Sequence, residues 1–260
     1  MAVAVLVIAI LIGGGVALLV TSGPRPIPAI SPAAQRLLRA SLASTLNGGS
    51  FHYVSRFTSQ GSAQTTVGDA GRSSGKQLIT IGPDTFTVLV IGTACYFRGN
   101  TRQMVEQLGL PTAVASAHTG QWISLAPGDG PYQSVYVAVT TRSALDANIA
   151  FEPHRQLAPS RRAGYRVLGI RGPMANVTVN GQTQRAKGTA SLYVTASRPH
   201  LPVQYTEQGK IDNQASNLVM TFSKWGEAVD VIAPTGAITY SSLGPGPGTT
   251  PTTAGPPVLT

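Results

Sequence analysis

The chain has 260 residues, with nineteen Lys and Arg against ten Asp and Glu, a formal charge of +9. That length accommodates one domain of about 200 residues plus flanking segments. A lone cysteine, Cys95, excludes an internal disulfide and any multi-cysteine metal centre. The cationic balance points to anionic partners such as phospholipid headgroups, wall polymers or nucleic acid, without choosing among them.

Residues 2–20, AVAVLVIAILIGGGVALLV, carry no polar side chain. As a helix they would reach roughly 30 Å, the thickness of a bilayer core. Residues 1–23 are therefore expected to form a transmembrane anchor, with signal-type cleavage after Ser22 as the other outcome. Arg25, Arg36 and Arg39 follow the run and no basic residue precedes it. Charge alone would thus place the following domain in the cytoplasm, an orientation that the resemblance described below reverses.

Pro24, Pro26 and Pro28 mark a spacer over residues 24–31. A helix follows, with Ser31 as N-cap, Pro32 in the first turn and Gly48-Gly49 as its stop. Leu38, Leu42 and Leu46 recur every four residues and form its apolar stripe. From Ser50 the period changes to two: Phe51, Tyr53 and Phe57 alternate with His52, Val54 and Arg56, and residues 62–70 could return antiparallel. Strands are predicted near 75–81, 84–91 and 94–98, then a short helix over 100–108 capped by Asn100. A second helix is predicted over about 134–148. Strands resume at 165–171, Asn180-Gly181 signals a hairpin turn, and 186–196, 202–208 and 216–224 continue the sheet. Leu218, Met220 and Phe222 share one face of the last of these. Residues 243–260 are Gly-, Pro- and Thr-rich and are expected to stay disordered.

Chemistry-bearing motifs are sparse. Gly71-Arg72-Ser73-Ser74-Gly75 matches the nucleophile-elbow string, but that motif needs a strand before and a helix after, whereas a strand follows here. A hairpin turn is the plainer reading. His52, His118, His154 and His200 show no metal-ligand spacing, and the Glu152–His154 pair lacks a third partner. Cys95 sits in a strand pattern as a small hydrophobe. No phosphate-binding loop or dinucleotide fingerprint is present, so no cofactor is expected and the chain reads as a non-enzyme. Arg155, Arg161, Arg162, Arg166 and Arg171 form one basic tract with no acid among residues 153–171. It reads as a solvated loop or as a surface for an anionic headgroup or membrane. Nucleic acid is disfavoured, since only Tyr165 is available for stacking.

LVMTFSKWGEAVDVIAPTG (218–236) resembles the closing strand and loop of LppX/LprG-type actinobacterial envelope proteins. YFRGN (96–100), GQWISL (120–125) and VLGIRG (167–172) are similar to that family as well. The resemblance spans about residues 32–236. It implies an α+β fold of LolA/LolB type: a curved antiparallel half-barrel sheet with helices packed on the concave side, preceded here by one N-terminal transmembrane helix. The domain would occupy residues 32–242. It further implies an apolar cavity for acyl chains, with Leu38, Leu42 and Leu46 covering Phe86, Val88 and Val90, and with Leu218, Met220 and Phe222 also lining it. The ligand would be an acyl lipid or glycolipid.

The chain departs from the lipoprotein pattern in having no cysteine after its apolar start, so a protein anchor would replace a lipid anchor. The expected function is a membrane-tethered, extracytoplasmic lipid or lipoprotein carrier of the cell envelope. The alternative is a sensor or scaffold module of the same fold with a filled core, acting through an envelope protein partner.

Overall fold

The computed structural model describes residues 30–244, apart from 60, 180 and 181. The expected anchor, spacer and tail, and the Asn180-Gly181 turn itself, lie wholly or mostly outside the described residues. Among the described residues no helix is long and apolar enough to cross a membrane.

Helix α1 spans Pro32–Gly48. Ser31 caps it by accepting the Ala34 N–H, and Gly49, in the left-handed region at φ 82°, closes it through its N–H to the Thr45 carbonyl. Its fully buried side is Ala34, Leu37, Ser41 and Thr45. Leu38, Leu42 and Leu46 flank that side, only partly buried. The expected stripe is therefore rotated by about one residue, because the small side chains allow the closer approach to the sheet.

Five strands follow as an antiparallel meander: β1 (Phe51–Ser59), β2 (Ser62–Ala70), β3 (Ser74–Ile81), β4 (Asp84–Ile91) and β5 (Ala94–Arg98). Helices α2 (Thr101–Leu108) and α3 (Thr112–Ala117) and strand β6 (Ile123–Leu125) come next. The single helix expected over 134–148 is two short ones, α4 (Tyr132–Tyr136) and α5 (Thr141–Asn148). Val135, Val137 and Val139 lower helix propensity there, and Thr140 starts α5 with a capping box to Ser143.

The tract expected to be a loop is strand β7 (Arg155–Arg162), paired with β8 (Tyr165–Pro173). The short pair β9 (Val177–Val179) and β10 (Gln182–Gln184) stands apart. Strands β11 (Ala186–Thr195), β12 (Pro202–Ile211) and β13 (Gln214–Ser223) complete the meander. The last strand, β14 (Ile238–Thr239), is followed by a single 3-10 turn over Tyr240–Leu243.

Twelve strands form one sheet in the order β14-β6-β5-β4-β3-β2-β1-β13-β12-β11-β8-β7. It is antiparallel except for the β14–β6 pair, so it is mixed rather than purely antiparallel. The helices lie on one face, and they build two apolar cores there rather than one. Core one joins α1, α5 and Phe151 to Phe51, Tyr53 and Phe57 of β1 and to the inward residues of β8 and β11–β13. Core two joins α2, α3 and α4 to Ile79, Phe86, Val88, Val90, Phe97 and Ile123.

Candidate functional site

Between the two cores the covered face of the sheet turns polar. Register places Ser55 of β1 opposite Thr66 of β2, and Thr66 opposite Ile79 of β3. Gln64 faces Ile81, and Gly68 lies between Tyr53 and Gln77. Ser55, Thr66 and Gln77 are all buried. The result is a lane of hydroxyls and amides running along the sheet where either core could have continued. A cleft of about 70 Å³ follows this lane. Its polar wall includes Ser55, Gln64, Thr66 and Gln77, and its apolar wall includes Ile79, Ile81, Phe86, Val88 and Phe97. Phe86 and Phe97 stack with ring centroids 5.3 Å apart. The roof comes from α2 (Gln107), α4 (Ser134, Val135), the linker Val137–Ala138 and the end of α5 (Asn148).

The linker between α4 and α5 crosses the sheet as a strap, and specific contacts fix it. Gln77 Nε2 donates to the Ala138 carbonyl at 2.6 Å and lies 2.5 Å from Tyr53 Oη, which itself donates to the same carbonyl at 3.3 Å. Ala138 adopts φ 67°, a left-handed conformation unfavourable for a residue with a Cβ. Two glycines make the crossing possible. A Cβ at Gly75 would run into the Val139 carbonyl, and a Cβ at Gly68 would run into the Tyr53 ring. At the far end of the strap Thr141 Oγ1 donates to the Gly49 carbonyl at 2.8 Å, tying α5 to the end of α1. Burial pushes the Tyr53 hydroxyl well above its ordinary range, so it stays a neutral donor.

The residues expected to line a cavity divide between the cores. Phe86 and Val88 line the cleft, whereas Val90 is buried beside it in core two. Leu218, Met220 and Phe222 are buried in core one, against which Leu38, Leu42 and Leu46 pack. Helix α1 therefore does not cover β4, and the expected pairing of the leucine stripe with Phe86, Val88 and Val90 is corrected. The α2–α4 segment occupies that place because it follows directly from β5. Sequence reasoning missed Tyr53, Ser55, Gln64, Thr66 and Gln77 as a set. Only strand register assembles them, although their period-two spacing onto one face was available.

Ser73 lies in the turn between two strands, β2 and β3, with no helix after it, which is not the setting of a nucleophile elbow. His154 Nε2 is 3.4 Å from Glu152 Oε2. On the open face, register brings together a group that the sequence did not suggest: His52 Nδ1 is 2.6 Å from Asp69 Oδ1, and Lys76 Nζ is 3.2 Å from Asp69 Oδ2. Burial pushes the Cys95 thiol up to about 12, leaving it an un-ionised part of core two. Among the described residues no group of three or more His, Cys, Asp or Glu is placed to hold a metal ion.

The basic tract is not one patch. Arg155 and Arg171 pair across β7 and β8 at one end of the hairpin, and Arg161, Arg162 and Arg166 gather at its tip.

No protein-family model matches the chain, and no curated protein matches it. Among solved structures it is similar to the Mycobacterium tuberculosis lipoprotein LppX, at TM-score 0.49 and 16% identity, covering 77% of this chain and 99% of that one. It is similar to LprF from Mycobacterium bovis at TM-score 0.48 and 16% identity, covering 78% and 98%. An uncharacterized conserved protein from Thermus thermophilus follows at TM-score 0.41 and 9% identity, covering 80% and 98%.

Proposed function

We propose that the chain is a non-enzymatic binding protein for an amphiphile, a lipid or lipid-like carrier of the cell envelope, with the strapped cleft as its site. The observation that carries this reading is the two-sided lining. An acyl chain would lie against Ile79, Ile81, Phe86, Val88 and Phe97, while ester or headgroup oxygens would meet Ser55, Gln64, Thr66 and Gln77. An amphiphile suits that combination, since apolar surface leaves water and buried polar groups keep partners.

The volume adds a condition. A cleft of about 70 Å³ has room for only a few waters. Pockets that enclose drug-sized ligands have ~300–1,000 Å³. Entry of an acyl chain thus requires the Val137–Thr140 strap to lift. The same small volume favours a second reading, a scaffold with a filled core that acts through a protein partner.

Mass spectrometry of organic extracts from the purified full chain separates the two readings. A co-purifying lipid in near-equal amount supports the carrier, and a chain free of lipid that also takes up none from vesicles supports the scaffold.

Tethering is part of the proposal. The unbroken apolar run at residues 2–20 would hold the domain at the outer side of the membrane, and cleavage near residue 22 would release it. A phosphatase fused to the C-terminus is expected to be active in cells. An inactive fusion beside an active cytoplasmic reporter would reverse that placement.

A further inference from the structure

The β7–β8 hairpin ends in a tip whose arginines neither the cleft nor either core uses, beside a small apolar cluster of Val167, Tyr193 and Val203 against which Trp225 packs. Register sets Arg161 directly opposite Arg166, and Arg162 opposite Tyr165. Like charges facing one another across strands are destabilising unless something neutralises them. Among the described residues, none of these arginines forms an ion pair.

The neighbouring β11–β12 loop adds Arg198, also exposed and without an ion pair, and is tied to the tip by the Ala196 N–H donating to the Arg166 carbonyl at 2.9 Å. Aromatic side chains stand among these cations. Arg162 lies 4.6 Å from the centre of the Tyr193 ring, and Tyr165, 43% exposed, meets Trp225 edge-on at 5.6 Å. A groove lined by Pro159, Tyr165, Leu168 and Ala196 runs alongside.

We propose that this tip docks the domain on an anionic lipid bilayer, with Arg161, Arg162, Arg166 and Arg198 at the headgroup phosphates, Tyr165 at the headgroup level and the half-buried Trp225 directly behind it. Charge complementarity selects the partner. Cations drawn to an acidic leaflet are combined here with Tyr and Trp, the side chains that favour the membrane–water interface. The edge position of β7 accounts for Arg155 and Pro159 by itself, because charge and proline on an edge strand block pairing with another sheet. It does not account for arginines gathered around the exposed Tyr165 and the half-buried Trp225 at the hairpin end. The inference goes beyond the cleft and does not rest on its ligand.

The test uses the full chain with Trp122→Phe, which leaves Trp225 as the only tryptophan. It is reconstituted in phosphatidylglycerol or phosphatidylcholine vesicles carrying a headgroup spin label. Insertion of the proposed anchor at residues 2–20 would be common to both membranes, so a difference between the two lipids reports the docked tip. Quenching of Trp225 is expected in phosphatidylglycerol. It should fall to the phosphatidylcholine level in the Arg161→Gln/Arg162→Gln/Arg166→Gln variant, with the circular dichroism spectrum unchanged. Should the triple variant misfold, the unaltered tip still decides the matter in molar salt, where screening over ~3 Å should abolish the difference between the two lipids. Equal quenching in both lipids, or quenching that survives the substitutions or the salt, overturns the proposal and leaves the tip as protection of a sheet edge. Occupancy of the cleft, read by lipid extraction, is expected to be the same in the triple variant.

Discussion

Gln77 and Ala138, sixty-one positions apart, meet through a 2.6 Å hydrogen bond from the glutamine Nε2 to the alanine carbonyl. That bond, with the Tyr53 hydroxyl beside it, holds the α4–α5 strap over the polar lane of the sheet. Replacing Gln77 by Leu removes the main donor and leaves a buried carbonyl with the longer Tyr53 contact alone. The expected loss is about 1–3 kcal/mol in urea unfolding. Hydrogen exchange should accelerate at Val137–Thr140 before it does in β11–β13. Uniform acceleration across the sheet would show that the strap is not a separate unit.

Gly75 tests the same strap from below. A methyl group there meets the Val139 and Asp69 carbonyl oxygens, both backbone atoms. Gly75→Ala is therefore expected to displace the strap and destabilise by about 1–3 kcal/mol. Uptake of a fluorescent fatty acid by the purified chain should be faster in this variant. Slower uptake would mean that the displaced strap blocks the cleft rather than opening it.

Val88→Trp places an indole against the apolar wall, where Val88 is 4% exposed. If the cleft opens for an acyl chain, the indole takes up the same space. Bound lipid should then disappear at a stability cost within the ~1–3 kcal/mol of overpacking. A larger loss of stability with lipid content unchanged would locate the ligand elsewhere.

Glu207 supplies a pH-dependent check on core one. Burial raises its pKa, although the Tyr205 hydroxyl, donating to Glu207 Oε1 at 2.6 Å, opposes the shift. An acid raised on folding leaves stability intact below its unfolded value of ~4.3 and removes it as pH rises through the folded value. Glu207→Gln keeps the acceptor and abolishes the titration. The variant should match the parent in acid and exceed it at neutral pH, as read from unfolding midpoints across the range. A parent that gains on the variant as pH rises would contradict the assignment.

The elements legible from sequence were those with local signals. Ser31, Pro32 and Gly48-Gly49 delimit α1, Asn100 caps α2, period-two alternation marks β1 and β13, and apolar runs between turn residues mark the strands near 75–81, 84–91, 94–98 and 165–171. Strand β7 escaped because Pro159 and its arginines read as loop, and an edge strand tolerates both. The break between α4 and α5 escaped because the apolar pattern continues through Val137 and Val139, while the interruption is set by the crossing over Gly75. The site was less legible than the fold. Ser55, Thr66 and Gln77 come from three strands and meet only through register. The α2–α4 cover over β4 follows from the route of the chain after β5, which no local pattern encodes.

The most direct test of the account is photolabelling of the full chain with a phospholipid that carries a diazirine midway along one acyl chain. Crosslinked peptides should map to β3, β4, the end of α4 and the strap, at Ile79–Phe86 and Val135–Ala138, and labelling should fall when unlabelled lipid competes. Labelling confined to the open face around Val54, Val67 and Leu78, or labelling that unlabelled lipid does not displace, would contradict a lipid site in the cleft.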